Sequence, residues 1–262
     1  MSIIYEPAGK AREYSSLACN LYSGCNHGCK YCYAPGIRRM ERQNYLVPEA
    51  RRNIVKDFEL DCKKNYNSDK PVLFCFMTDP YNSLESELRL TRECLKIALK
   101  HKIPVKILTK SKTVLDDIDI IKKFENHISV GMTITFDDLK KSLEWEPGAS
   151  IPEDRIKTLN ELKNNNIKTW ASFEPVIEPE ESLIMMDKLK NIVDIFKIGK
   201  LNNFQGLDKK IDWNDFLNRS IKILRENNKP FYVKKDLREA CPSIKLYGSE
   251  ILMDDFDPEP FL

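Results

Sequence analysis

The chain contains no apolar run approaching 18 residues and no charged start followed by an apolar stretch at Met1, so neither a membrane-spanning helix nor an export leader is expected, and the expected compartment is the cytoplasm. It has no internal repeat and no low-complexity segment, which argues against a solenoid or a disordered array. It carries almost no net charge, +2 from 42 basic and 40 acidic residues, so the molecule as a whole is not an electrostatic nucleic-acid binder. Only three histidines are present, and the eight cysteines do not form the two C-x2-C pairs that zinc modules normally use. Without an export signal, and at 262 residues, the chain also has no need of disulfide staples. Hydrophobic residues at 42% and charged residues at 31% describe an ordinary globular chain with material for a large core.

One stretch stands out against this background. Asn20 to Pro35 reads NLYSGCNHGCKYCYAP and sets Cys25, Cys29 and Cys32 at C-x3-C-x2-C spacing in one turn-rich loop. A single zinc ion would want a fourth protein ligand, whereas a 4Fe-4S cubane held by three cysteines keeps one iron open for a substrate or cofactor. His27, between the first two cysteines, reads as loop filler. Cys19, Cys62, Cys75, Cys94 and Cys241 share no ligand spacing and read as buried small hydrophobes.

Around this loop the chain alternates short apolar runs with amphipathic segments. Ser16 to Ser23 reads as the strand that delivers the cysteines, and a helix starting at Val47-Pro48-Glu49-Ala50 carries the stripe Ile54, Phe58, Cys62. Pro71 to Met77 is a continuous apolar strand, followed by a helix capped by Asn82 with Glu85. Pro104 to Leu108, Ile128 to Ile134, Thr169 to Phe173 and Ile192 to Ile198 are further strands. Helices are expected over Thr113 to Phe124, from a Ser150/Glu153 capping box, from about Glu180 to Leu189, and through Trp213, Leu217, Ile221 and Leu224. Strict alternation with long crossovers requires a parallel sheet. The expected fold is α/β, a partial (β/α)6 TIM-like barrel with short N-terminal and C-terminal extensions. The barrel is assigned to 1–228, and 229–262, with Phe231-Tyr232-Val233 as a possible added strand, to an extension packed on it.

Function collects at the C-terminal ends of parallel barrel strands. After the cysteine loop those ends are Thr78-Asp79-Pro80-Tyr81, Thr109-Lys110-Ser111, Thr133-Ile134-Thr135, Glu174-Pro175 and Lys197 to Lys200. With Cys25, Cys29, Tyr31 and Cys32 matching C-x3-C-x-aromatic-C, the whole chain resembles the radical S-adenosylmethionine superfamily. Asp79-Pro80-Tyr81 and Leu108-Thr109-Lys110-Ser111 resemble its spore photoproduct lyase-like branch.

The resemblance implies a 4Fe-4S cluster on the three cysteines, S-adenosylmethionine chelated at its open iron, and release of a 5'-deoxyadenosyl radical that takes hydrogen from a substrate. It further implies a flavodoxin or ferredoxin as electron source. Tyr31 matches the aromatic beside the adenine, and Tyr33 follows the third cysteine as aromatics do in the lyase. Thr78 and Asp79 stand where a glycine-glycine-glutamate-like motif would bind the methionine ammonium. Lys110, with Ser111, falls near the place of a lysine beside the carboxylate. Thr133 and Thr135 are alternative hydroxyl contacts, since alternation puts both on one face, and Glu174 is placed to touch ribose or substrate. Cys75 is the candidate hydrogen donor, but it is shifted by one position from the lyase's cysteine, which favours strand packing.

The substrate stays open among a nucleic acid, a peptide and a small molecule. Nucleic acid draws on Arg38, Arg39 and the basic, aromatic run Tyr232-Val233-Lys234-Lys235. The ordinary reading of such runs, and of the acidic tail Asp254, Asp255, Asp257 and Glu259, is a solvated face. A cluster protein that transfers electrons or serves as a scaffold without turnover is the alternative function, and a zinc module a third.

Overall fold

The computed structural model describes residues 2–64, 69–202, 204–252 and 257–261. Seven strands form one parallel sheet in chain order: β1 (Leu17–Cys19), β2 (Val72–Phe74), β3 (Val105–Thr109), β4 (Ile128–Thr133), β5 (Lys168–Phe173), β6 (Ile195–Ile198) and β7 (Phe231–Val233). The expected added strand is thus the seventh, in parallel register with β6, Phe196 opposite Phe231. The principal helices on the outside are α1 (Ile54–Lys64), α2 (Leu90–Lys100), α3 (Pro152–Asn164), α4 (Pro179–Leu189) and α5 (Trp213–Glu226). Their apolar stripes pack on the outward side chains of the strands in two large clusters, one centred on Phe58, Phe74 and Phe124, the other on Phe173, Phe196 and Phe216.

The apolar side chains turned inward include Ala18, Leu73, Trp170, Ile195 and Tyr232. Trp170 fills the middle of the barrel by lying flat against Gly131, where any Cβ would fall 2.1 Å from its ring. The sheet stays open between β1 and β7, and the N-terminal segment covers that seam. Tyr5 makes an antiparallel bridge with Ala18. On the other side, Glu13 accepts from the Tyr232 hydroxyl at 2.8 Å and the Lys235 amide at 2.7 Å.

Several local expectations are corrected. The run Ser16 to Ser23 is two pieces, because Asn20 leaves the sheet to cap the end of β2. Tyr22–Ser23 then pairs antiparallel with Glu49–Ala50, so the following helix starts at Ile54 rather than at Val47. The helix expected over Thr113 to Phe124 is mostly 3-10, with α geometry only over Ile118–Ile121. The Ser150/Glu153 capping box does not form: Ile151 occupies the cap of α3, and Ser150 Oγ accepts from the Lys112 amide at 2.8 Å. Of the run at β7 read as a solvated face, Tyr232, Val233 and Lys234 are internal, and only Lys235 is exposed. Of the acidic tail, Asp254 and Asp255 lie outside the described residues, while Asp257 accepts from buried Lys106 at 2.5 Å. Among the described residues no helix is long and apolar enough to cross a membrane.

Candidate active site

The cysteine loop is held by its surroundings. Asn20 Oδ1 accepts the amides of Phe76 and Met77 at 2.9 and 2.8 Å, tying the loop's start to the end of β2. The Cys25 amide donates to Tyr45 O at 2.8 Å. Arg42 reaches back over the loop and donates to the carbonyls of Cys29, Lys30 and Cys32 at 2.7, 2.9 and 3.1 Å. From the opposite side comes the segment between β4 and α3. Its Gly148 amide donates to His27 O at 2.9 Å, and Trp145 O accepts the Lys30 amide at 2.8 Å.

All three thiols border one cavity of about 670 Å³ at the C-terminal end of the strands, a size suited to a cofactor and a substrate portion together. All eight cysteines are free, and the five outside the loop are buried as expected. Burial pushes the Cys25 thiol up to about 12, with Asp79 adding to it, and burial pushes Cys29 up to about 11.

Asp79 is a junction between strand ends. Its Oδ1 accepts from Thr109 Oγ1 at 2.7 Å and the Tyr81 amide at 2.8 Å, its Oδ2 accepts the Lys110 amide at 2.8 Å, and His27 Nδ1 lies 3.5 Å from the same oxygen. A carboxylate has about four acceptor sites, so these partners occupy most of its capacity. Burial keeps the His27 pKa below its ordinary value despite Asp79, and the residue is buried in the loop at the edge of the cavity.

A second polar group, absent from the sequence expectations, stands behind Tyr31. The Tyr31 hydroxyl bonds to Glu146, and Arg155 Nη2 donates to Glu146 Oε2 at 2.6 Å. Arg155 also donates to Thr133 O at 2.9 Å and Ser150 O at 2.7 Å. Burial alone would raise the Glu146 carboxyl, but Arg155 and Lys110 hold it below the usual carboxylate range. Lys110 Nζ sits 5.8 Å from the Tyr31 ring centroid. Burial pulls the Lys110 ammonium down, yet Cys29 and Glu146 keep it above the ordinary lysine value. In the sequence Glu146 sits in the polar segment Glu146-Pro147-Gly148 between β4 and α3, where nothing local marks it.

The far wall combines the seam residues with β5 and β7. Glu174 Oε2 accepts from the Tyr14 hydroxyl at 2.6 Å and from Lys234 Nζ at 2.5 Å, and that ammonium lies 4.3 Å from the Tyr14 ring centroid. Gly199 leaves room for this carboxylate, since a Cβ there would stand 2.9 Å from Glu174 Cδ. Tyr14 carried no signal in the sequence and Lys234 was read only as part of a basic run, because nothing local marks a residue that closes a barrel seam.

The cavity therefore brings together Cys25, Cys29, Cys32, Tyr31, Tyr33, Cys75, Thr78, Asp79, Lys110, Thr133 and Glu174. Ser111 and Thr135 are not among its lining residues. Ser111 Oγ caps the turn after β3, and the Thr135 hydroxyl is buried with no hydrogen-bond partner among the described residues. Thr78 Oγ1 donates to Gly24 O, which fastens β2 to the cysteine loop. Cys75 both packs in the core with Tyr22 and Tyr81 and borders the cavity, and burial pushes its thiol up.

Among the described residues no three His, Cys, Asp or Glu side chains stand close enough to hold a single metal ion. Three free cysteines bordering one cavity are the donor set that a 4Fe-4S cubane with one open iron would take.

A family model described as the Radical SAM superfamily matches residues 19–193. An uncharacterized protein of Methanocaldococcus jannaschii is 37% identical over 160 residues, covering 60% of this chain and 59% of that protein. An uncharacterized protein of Acidianus two-tailed virus is 25% identical over 190 residues, covering 67% and 61%. The chain thus spans less than two thirds of the length of either relative. Among solved structures, Streptococcus suis SuiB bound to S-adenosylmethionine superposes with a TM-score of 0.64 at 16% identity, covering 88% of this chain and 53% of that one. A spore photoproduct lyase mutant superposes at 0.66 and 12% identity, covering 87% and 78%.

Proposed function

The chain belongs to the radical SAM superfamily, and on that premise we propose that its cavity binds a three-cysteine 4Fe-4S cluster with S-adenosylmethionine and directs a radical onto a substrate held against the far wall. The observation that carries this reading is the shared cavity: three free thiols on one side, and on the others an aromatic ring, a cation, hydroxyls and a carboxylate from successive strand ends. When bound, the cluster and S-adenosylmethionine supply one-electron cleavage of a C–S bond, giving a 5'-deoxyadenosyl radical able to remove a hydrogen atom.

The chain's own residues would do the rest. Cys25, Cys29 and Cys32 hold three cluster corners and leave the fourth iron free. Lys110, a point cation half-buried beside Tyr31, suits a methionine carboxylate, and the Tyr31 ring suits an adenine face. Thr133 and the Glu174 oxygen not engaged by Tyr14 and Lys234 can meet ribose or substrate hydroxyls. Asp79, already accepting three hydrogen bonds, orders the strand ends that carry these groups. Cys75 borders the same space and would be the candidate to return a hydrogen atom.

Anaerobic reconstitution followed by dithionite and S-adenosylmethionine tests this reading. Expected are about four irons per chain and 5'-deoxyadenosine well above a Cys29→Ala control. A reconstituted cluster that yields none would identify the electron-transfer or scaffold alternative. The substrate class is read separately, by deuterium passing between a candidate and 5'-deoxyadenosine. For nucleic acid the surface support is reduced, because Tyr232 and Lys234 are internal.

A further inference from the structure

Inside the barrel, three polar side chains from successive strands lack a bond. Ser129 on β4, Trp170 on β5 and Lys197 on β6 are wholly buried, and Ser129 Oγ, Trp170 Nε1 and Lys197 Nζ have no hydrogen-bond partner among the described residues. Buried polar atoms of this kind are rare, and three on neighbouring strands call for a shared partner. An indole N–H can only donate, and a hydroxyl can donate, so the partner must accept.

Lys106 on β3, in register beside Ser129, is buried as well. It donates to Asp257 Oδ1 at 2.5 Å, and its amino group stands within hydrogen-bond reach of Lys197. Asp257 belongs to the tail segment that crosses the N-terminal end of the strands, where the Glu259 amide donates to Asn126 O at 3.0 Å. Like charges this close oppose a second proton, so Lys106, paired with Asp257, is the ammonium and Lys197 the free amine. Burial, reinforced by Lys106, holds the Lys197 pKa well below the ordinary lysine value. Its Nζ lies 4.8 Å from the Trp170 and 5.5 Å from the Tyr14 ring centroids. A desolvated amine beside a cation is the setting in which lysine becomes a nucleophile at neutral pH.

We propose that Lys197 is a carbamylation site for carbon dioxide. The amine lone pair attacks the carbon, an N–C bond forms as one C=O π bond opens onto its oxygen, and an N–H proton leaves through Asp257, whose side chain is 18% exposed, to solvent. Nothing is oxidised or reduced. The two carbamate oxygens supply acceptors for the Lys106 ammonium, the Ser129 hydroxyl and the Trp170 N–H. A free inorganic anion is the poorer match, because it must shed its water to enter and would need Lys197 protonated beside Lys106, whereas carbon dioxide enters uncharged. The modified side chain would brace β3 to β6 under Tyr14, which holds Glu174 on the cavity wall. This inference does not depend on the cofactor assigned to the cavity.

The test equilibrates the full-length chain with carbon-13-labelled bicarbonate, against carbonate-free buffer matched in pH and made up to the same ionic strength with chloride. Carbon-13 NMR of the parent protein should show a carbamate resonance that couples to nitrogen when the lysines carry nitrogen-15, and Lys197→Met should lack it. The thermal midpoint should rise with bicarbonate in the parent and stay constant in Lys197→Met. Ser129→Ala removes one donor and keeps the amine, so it should need about tenfold more bicarbonate for the same resonance. That shift places the carbamate inside the barrel even if Lys197→Met fails to fold. A resonance that persists in Lys197→Met, or is indifferent to Ser129→Ala, would put the carbamate on a surface amine and overturn the proposal. A midpoint raised equally by chloride, with no resonance, would mean a free anion instead. No resonance and no shift would leave ordered water as the partner, and would overturn it too.

Discussion

Arg155 on α3 and Glu146 in the preceding loop form an ion pair of 2.6 Å with both side chains almost wholly out of solvent, and the same carboxylate receives the Tyr31 hydroxyl. The pair thereby connects the fourth strand's end, through Thr133 O, to the aromatic of the cysteine motif.

Removing one partner of such a pair leaves an uncompensated buried charge, at a cost of about 3–5 kcal/mol. Arg155→Met should therefore destabilise the protein by that order in urea unfolding. Glu146→Gln should cost less, because it keeps an acceptor for Tyr31. The double variant Glu146→Gln/Arg155→Met should be milder than the sum of the singles; strict additivity would show that the two groups do not act as a pair.

Gly148 is the point where this loop meets the cysteine loop. A Cβ there would lie 2.3 Å from Asn26 O and 3.0 Å from His27 Cα, both backbone atoms that cannot swing aside. Gly148→Ala should break the amide bond to His27 O, cost about 1–3 kcal/mol through overpacking, and speed hydrogen exchange at the Cys25 to Cys32 amides. Iron uptake on reconstitution should fall with it. Unaltered exchange in that stretch would remove Gly148 from the account.

Much of this arrangement was legible before any coordinates. The thiol spacing needs only local sequence, and the apolar runs at Val72, Val105 and Ile128 announce central strands because parallel strands are covered on both faces. What was hidden depends on non-local approach. Glu146, Arg155, Tyr14 and Lys234 look like surface residues until the loop after β4 and the N-terminal segment fold over the barrel. The break in the first strand was hidden for a similar reason, since Asn20 turns away to satisfy two amides at the end of β2, more than fifty residues further along the chain.

The N-terminal segment that closes the seam is fastened by Asp61 on α1, whose Oδ2 accepts from Ser2 Oγ at 2.9 Å and from the amides of Ile3 and Ile4 at 2.5 and 3.1 Å. Burial would raise this carboxyl, but the two amides, Ser2 and Lys64 hold its pKa below the ordinary aspartate value. A depressed carboxylate stabilises the fold above its unfolded pKa, about 3.9, and loses that contribution as pH falls through the folded value. Asp61→Asn should therefore lower stability near neutral pH by about 1–3 kcal/mol. It should also flatten the loss of stability between roughly pH 5 and the folded value. Parallel acid dependence in the two proteins would rule out this anchor.

Lys110 offers the sharpest separation of cofactor binding from folding. Its amide is fixed by Asp79 and its ammonium lies between Cys29, Glu146 and the Tyr31 ring, so the backbone is ordered whatever the side chain. Lys110→Met keeps most of the apolar stem and removes the charge. If that charge meets the carboxylate of S-adenosylmethionine, its loss removes a charge-assisted hydrogen bond of about 1.5–3 kcal/mol. S-adenosylmethionine should then bind about ten- to a hundredfold more weakly in equilibrium titration of the reconstituted protein. Iron content and urea midpoint should stay near those of the parent. 5'-Deoxy-5'-methylthioadenosine lacks the amino-acid carboxylate, so any binding it shows should be indifferent to the substitution. Equal weakening of both ligands would mean that Lys110 shapes the pocket and does not pair with the carboxylate.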